Sequence, residues 1–143
     1  MIRDIGGTTK KKELTMEQEK ISLLIVDDEE RFLSTTQKLL EKKGIRTFTA
    51  TSGNAGYEVL ETNPVDVVVL DVKMPGMSGM GVLKRIKKDF PEVEVIMLTG
   101  HATVQTAVGG IKYGAFDYLM KPCDIDVLVD KIREAYAKKT GKV

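Results

Sequence analysis

Residues 65–79 read VDVVVLDVKMPGMSG, and this stretch decides the fold. The apolar run Val67–Leu70, rich in β-branched residues, suits a strand buried on both faces, as in a parallel sheet. It delivers one carboxylate, Asp71, directly into a Pro/Gly-rich loop. An acid ending such a strand lies at the carboxyl edge of the sheet, where open α/β sheets place their ligands. Packing does not call for an aspartate there, so Asp71 reads as a reactive group that the rest of the chain serves.

Working outward, the same pattern recurs. Leu23-Leu24-Ile25-Val26 is a second apolar run and ends in Asp27-Asp28-Glu29-Glu30. Phe32, Leu33, Leu39 and Leu40 follow at helical spacing until Gly44. Residues 45–50 (IRTFTA) alternate as a strand. Ser52 can cap a helix with Ala55, Val59 and Leu60 inward, ended by Asn63-Pro64. Beyond Asp71, Ser78 can cap a helix with Leu83 and Ile86 inside and Lys84, Arg85, Lys87 and Lys88 in water. A fourth strand, 93–98, leads into Thr99-Gly100-His101. Val104, Ala107, Val108 and Ile111 then trace a helix over 103–113 at i, i+3, i+4, i+7. A fifth strand, 116–120, runs into Lys121-Pro122, and Asp124 caps a last helix. Strand and helix thus alternate five times over short connections, which predicts a single α/β unit. Its parallel sheet is doubly wound, with helices on both faces and right-handed crossovers.

Composition narrows the function classes. The chain has 143 residues, 42% hydrophobic and 30% charged, the balance of a globular domain. A formal net charge of +1 gives no global case for nucleic-acid binding. No apolar run approaches the ~18 residues of a membrane span. The lysines at 10–12 precede no apolar segment of a secretory signal. The single cysteine, Cys123, leaves no internal disulfide, and the protein reads as cytoplasmic. Residues 1–20 read as an arm without structure, extraneous or upstream of a start at Met16; 21–138 as the domain; 139–143 as a tail.

In a parallel sheet every strand ends on the same edge. Asp27, Asp28, Asp71, Thr99 and Lys121 are therefore brought to one crevice: three carboxylates, a hydroxyl and an ammonium. Packed carboxylates repel, and a divalent cation relieves the repulsion. Few oxygen ligands, with room for water and a phosphoryl group, suit Mg²⁺, and no His/Cys pattern supports zinc. A carboxylate can attack phosphorus to give an acyl phosphate, a transfer that needs positioning and charge neutralisation. Mg²⁺ and Lys121 would supply the neutralisation and Thr99 a hydrogen bond, while Gly100 leaves the approach open.

At this point the chain resembles the receiver domains of two-component response regulators. The similarity lies in LLIVDDEE (23–30), VVVLDVKMPGMSG (67–79), VIMLTGHAT (95–103) and GAFDYLMKP (114–122). The wording of the Asp71 and Thr99 motifs is most similar to receivers of enhancer-binding transcriptional activators. The resemblance implies a flavodoxin-like fold with strand order 2-1-3-4-5. It implies that Asp71 takes a phosphoryl group from a sensor histidine kinase or phosphotransfer protein, or from acetyl phosphate. Asp28 and Asp71 would ligate Mg²⁺ with the backbone carbonyl of Lys73, and Asp27 would support the metal through water. Thr99 and Lys121 would hold the phosphoryl group, Tyr118 would be the aromatic partner of a Thr99 switch, and Lys121–Pro122 would be cis. Lys73 and His101 occupy the positions that tune phosphate lifetime. His101 reads either as a base in hydrolysis or as a solvated loop residue. Gly109-Gly110 reads either as a helix weakened for repacking or as a small-residue contact. The resemblance also implies that the face from about 103 to 136 makes dimer or target contacts.

Rival readings make different demands. An aspartyl-phosphate phosphohydrolase on a similar fold wants a second acid two residues after its nucleophile, where this chain has Lys73. A flavin module wants a phosphate loop after strand one, which is not evident. A receiver that works without phosphorylation would not need the complete constellation.

Overall fold

A computed structural model describes residues 20–74, 77–100 and 104–141. Five parallel strands form one sheet: β1 (Ser22–Val26), β2 (Arg46–Ala50), β3 (Val67–Leu70), β4 (Glu94–Thr99) and β5 (Asp117–Met120). Their spatial order is β2-β1-β3-β4-β5, the expected doubly wound arrangement. The helices are α1 (Glu30–Lys42), α2 (Gly53–Thr62), α3 (Gly79–Asp89), α4 (Val104–Lys112) and α5 (Ile125–Thr140). The last helix thus continues past residue 138. A two-residue antiparallel ladder, Lys73–Met74 with Met77–Ser78, follows β3.

The continuous apolar runs are explained by burial on both sides. In β1 and β3, Leu24, Val26, Val68 and Leu70 pack with Tyr57 and Leu60 of α2 and with Val82, Leu83 and Ile86 of α3. The alternate residues Leu23, Ile25, Val67 and Val69 pack with Leu33 and Leu40 of α1 and with Leu128, Val129 and Ile132 of α5. A strand between two such layers has no solvent face to mark with polar residues.

Helix starts follow the residues read as caps. Ser52 Oγ accepts from Ala55 N–H at 3.1 Å, Ser78 Oγ from Gly81 N–H at 3.0 Å, and Asp124 Oδ1 from Asp126 N–H at 3.0 Å. Gly44, just beyond α1, adopts φ +84°, a left-handed conformation that suits glycine.

The helix traced by this stripe is present as α4, but its apolar residues are not all buried. Val108 is 61% exposed and Ile111 50% exposed, while Ala107 is half-buried. It is Gly110 that turns inward, where a Cβ would sit 3.5 Å from Met97 Cγ and 3.6 Å from Tyr118 Cδ2. Those are ordinary contact distances, so packing does not force glycine at 110. The two glycines still weaken the helix by ~1 kcal/mol each relative to alanine. Leu39 of α1 is 39% exposed, whereas Leu33 and Leu40 are buried.

Candidate functional site at the carboxyl edge of the sheet

The ladders extend one bond beyond the strand ends and so fix the site residues. Asp27 N–H donates to Ala50 O (3.0 Å), Asp71 N–H to Val26 O (3.0 Å), and Lys121 N–H to Thr99 O (2.9 Å). Register therefore places Asp27, Asp71, Thr99 and Lys121 on neighbouring strands at one level. Carboxylate oxygens of Asp27, Asp28 and Asp71 all lie within 4.8 Å of one another. Asp27 and Asp71 are buried, whereas Asp28 faces solvent. This acid cluster could hold a metal ion: its donors are hard oxygens on adjacent loops, and one side is open to water.

Lys121 closes the crevice. Its Nζ lies 2.6 Å from Asp27 Oδ2, 2.8 Å from Glu29 Oε1 and 3.9 Å from Asp71 Oδ2. The ammonium also sits 4.2 Å above the Phe32 ring, a cation–π distance. The Lys121–Pro122 bond is cis. Burial acts to lower the Lys121 pKa, but the hydrogen bonds and charges of Asp27, Glu29 and Asp71 outweigh it, so the ammonium is held above the ordinary lysine range. Burial raises the Asp27 carboxyl above its usual value, against hydrogen bonds from Lys121 and Glu29 N–H. Glu29, on the surface, is held low by Lys121. The edge thus carries a protonated lysine among carboxylates that repel one another.

Glu29 is the site residue that sequence reading passed over. It follows the two aspartates as one more acid in a run, and only its distance from Lys121 distinguishes it. Gly79 is a second such residue. Its N–H donates to Val72 O at 2.7 Å, and a Cβ there would collide with the backbone of Asp71 and Val72. Glycine is what lets the start of α3 press against the strand end that presents Asp71.

Thr99 is fully buried at the last position of β4, paired with Met120. Tyr118 is half-buried and packs against the α2/α3 core layer. The backbone of Lys73 lies in the small ladder after Asp71. His101 lies outside the described residues.

A flavodoxin-like sheet with acids and one lysine gathered at its carboxyl edge defines a class of α/β signalling domains. Residues 23–133 match the response regulator receiver domain, and the chain belongs to that family. It is 39% identical over 117 residues to a putative NtrX-like response regulator of Rickettsia bellii, covering 80% of this chain and 24% of that protein. It is 39% identical over 118 residues to the DNA-binding transcriptional regulator NtrC of Klebsiella pneumoniae, covering 80% and 25% respectively. The chain therefore spans about a quarter of the curated relatives it matches. Among solved structures, the beryllofluoride-activated NtrC4 receiver domain dimer superposes with a TM-score of 0.78 at 35% identity, covering 82% of this chain and 98% of that one. The expected likeness to receivers of transcriptional regulators is borne out. Among the described residues, no helix is long and apolar enough to cross a membrane.

Proposed function

We propose that this receiver is a phosphorylation-activated switch in which Asp71 accepts the phosphoryl group. The observation that carries the reading is the convergence of Asp27, Asp28 and Asp71 within 4.8 Å, with Lys121 Nζ 3.9 Å from Asp71. Asp71 Oδ attacks phosphorus and forms a P–O bond as the P–N bond of a phosphohistidine, or the P–O bond of acetyl phosphate, breaks. The leaving group departs on a sensor kinase or phosphotransfer protein in the first case and as acetate in the second. Lys121 moves from Asp27 and Glu29 toward the transferred phosphoryl oxygens, and Thr99 donates its hydroxyl to one of them. Asp28, Asp71 and the Lys73 carbonyl would hold Mg²⁺, with Asp27 supporting it. The ion would supply charge neutralisation between the acids and the incoming phosphoryl group. The phosphate is later lost by hydrolysis, with Lys73 and His101 at the positions that set its lifetime.

The new charge, nearly ~2 negative units, biases the Thr99 and Tyr118 face. Tyr118 lies against Gly110 of the glycine-weakened α4, and Val108 and Ile111 of that helix and Met120 of β5 are exposed. These exposed apolar residues, and the likeness to the beryllofluoride-activated NtrC4 receiver domain dimer, support a homodimer on activation. Ile111→Lys is expected to weaken that association at least tenfold in sedimentation of the phosphorylated protein; unchanged association would remove this face from the dimer.

Incubation with acetyl phosphate and Mg²⁺ is expected to add one phosphoryl mass to intact protein, and none to Asp71→Asn. A wild-type protein that gains no mass would overturn the reading. Sustained turnover of a phosphate ester would favour the phosphohydrolase instead.

A further inference from the structure

We propose that Glu29 is a positioning residue that holds Lys121 away from Asp71 in the resting state and must release it for phosphoryl transfer. The proposal rests on the switch reading above. Lys121 Nζ is bonded to Glu29 Oε1 at 2.8 Å and to Asp27 Oδ2 at 2.6 Å, but stands 3.9 Å from Asp71 Oδ2. Its backbone is pinned to Thr99 O, so only the side chain can travel. Phe32 supports the ammonium at 4.2 Å, on the first turn of the same helix that Glu29 precedes.

Among the described residues, Lys121 is the one side-chain partner of the Glu29 carboxylate. It stands at the N-cap position of α1, yet its side chain makes no capping hydrogen bond. Its backbone N–H donates to Asp27 Oδ1 at 2.9 Å, which fixes the residue beside the buried acid. The carboxylate is 63% exposed, so water can take over its hydrogen bond when the lysine leaves. Asp27, at 2%, has no such freedom. Glu29 is therefore the contact that opens first, and an exposed pair is weak enough to open readily.

Two measurements test this. Glu29→Gln is expected to raise labelling of Lys121 by an amine-reactive ester in the resting protein, read by peptide mass spectrometry. The same variant is expected to gain phosphoryl mass from acetyl phosphate about two- to fivefold faster, the range an exposed ion pair allows. Glu30→Gln removes the same charge one residue along and is expected to match the wild type in both. Unchanged Lys121 labelling in Glu29→Gln, an unchanged or slower phosphoryl gain, or an equal acceleration in Glu30→Gln would each overturn the holding role. If wild type gains no phosphoryl mass, the switch reading itself fails, a result distinct from a phosphorylatable protein indifferent to Glu29.

Discussion

Two acids at the amino edge of the sheet, Asp66 and Glu94, are held differently from those gathered at its carboxyl edge. At the amino edge, Asp66 accepts from Ser22 N–H at 3.0 Å and from Lys139 Nζ at 2.9 Å, and Glu94 lies 3.6 Å from Lys138 Nζ. Each of these acids has an ammonium to itself. At the carboxyl edge Asp27, Glu29 and Asp71 share Lys121, with Asp28 alongside. The same two side-chain types make a staple where one pairs with one, and a site where three carboxylates converge within 4.8 Å around one ammonium. Surplus negative charge held by rigid strand ends is a standing demand for a cation.

The strongest way to break the contrast is to disturb what holds the crowded edge together. Gly79→Ala would drive a methyl into the Asp71–Val72 backbone, so a loss of ~3 kcal/mol is expected in urea denaturation. Wild-type stability would show that α3 can back away from Asp71. Next comes a paired test of the two edges. Asp28→Asn should leave folding within ~0.5 kcal/mol of wild type, because the exposed side chain supports little. It should nevertheless weaken Mg²⁺ binding by ~10-fold or more in an NMR titration, since it removes a charged ligand. Asp66→Ala should do the reverse, costing ~1–2 kcal/mol of stability and leaving Mg²⁺ affinity alone. Equal behaviour of the two variants would erase the distinction between staple and site.

The smallest effect concerns pH. Burial first, and Asp71 last, raise the Asp27 carboxyl above 3.8 in the folded protein. Its contribution to metal-free stability is therefore present below 3.8 and lost as pH rises through the folded value. Asp117 is the opposite case. Burial would raise it, but Lys131 and Tyr118 N–H outweigh burial and lower it below 3.8. Its stabilisation is present above that value and lost as pH falls through the lower folded one. Carboxyl carbon titrations by NMR should show the two midpoints on opposite sides of the ordinary aspartate value; the reverse order would contradict the geometry.

Much of the fold was legible because its determinants are local. Apolar runs bounded by polar loops, and alternation at residues 45–50, gave the five strands, and Ser52, Ser78 and Asp124 gave three helix starts. The convergence of Asp27, Asp28, Asp71 and Lys121 was legible too, because a parallel sheet has one carboxyl edge. The exposure of Val108 and Ile111 on α4 was not. A stripe at positions 104, 107, 108 and 111 says that a helix has an apolar face, not that the sheet lies beneath it. An exposed stripe meant for a partner has the same period as a buried one. Glu29 was also hidden, since an acid in an acidic run gains meaning only from a lysine 92 residues away.

By itself the sequence determined the alternation of strand and helix, and with it the edge at which the charged residues meet. The reason is that hydrogen-bonding period and burial are written in adjacent residues. Only the tertiary structure decided where Lys121 rests, which face α4 turns to water, and how closely Gly79 lets the next helix approach Asp71. Those outcomes depend on distances between segments far apart in the chain, and no local pattern encodes a distance.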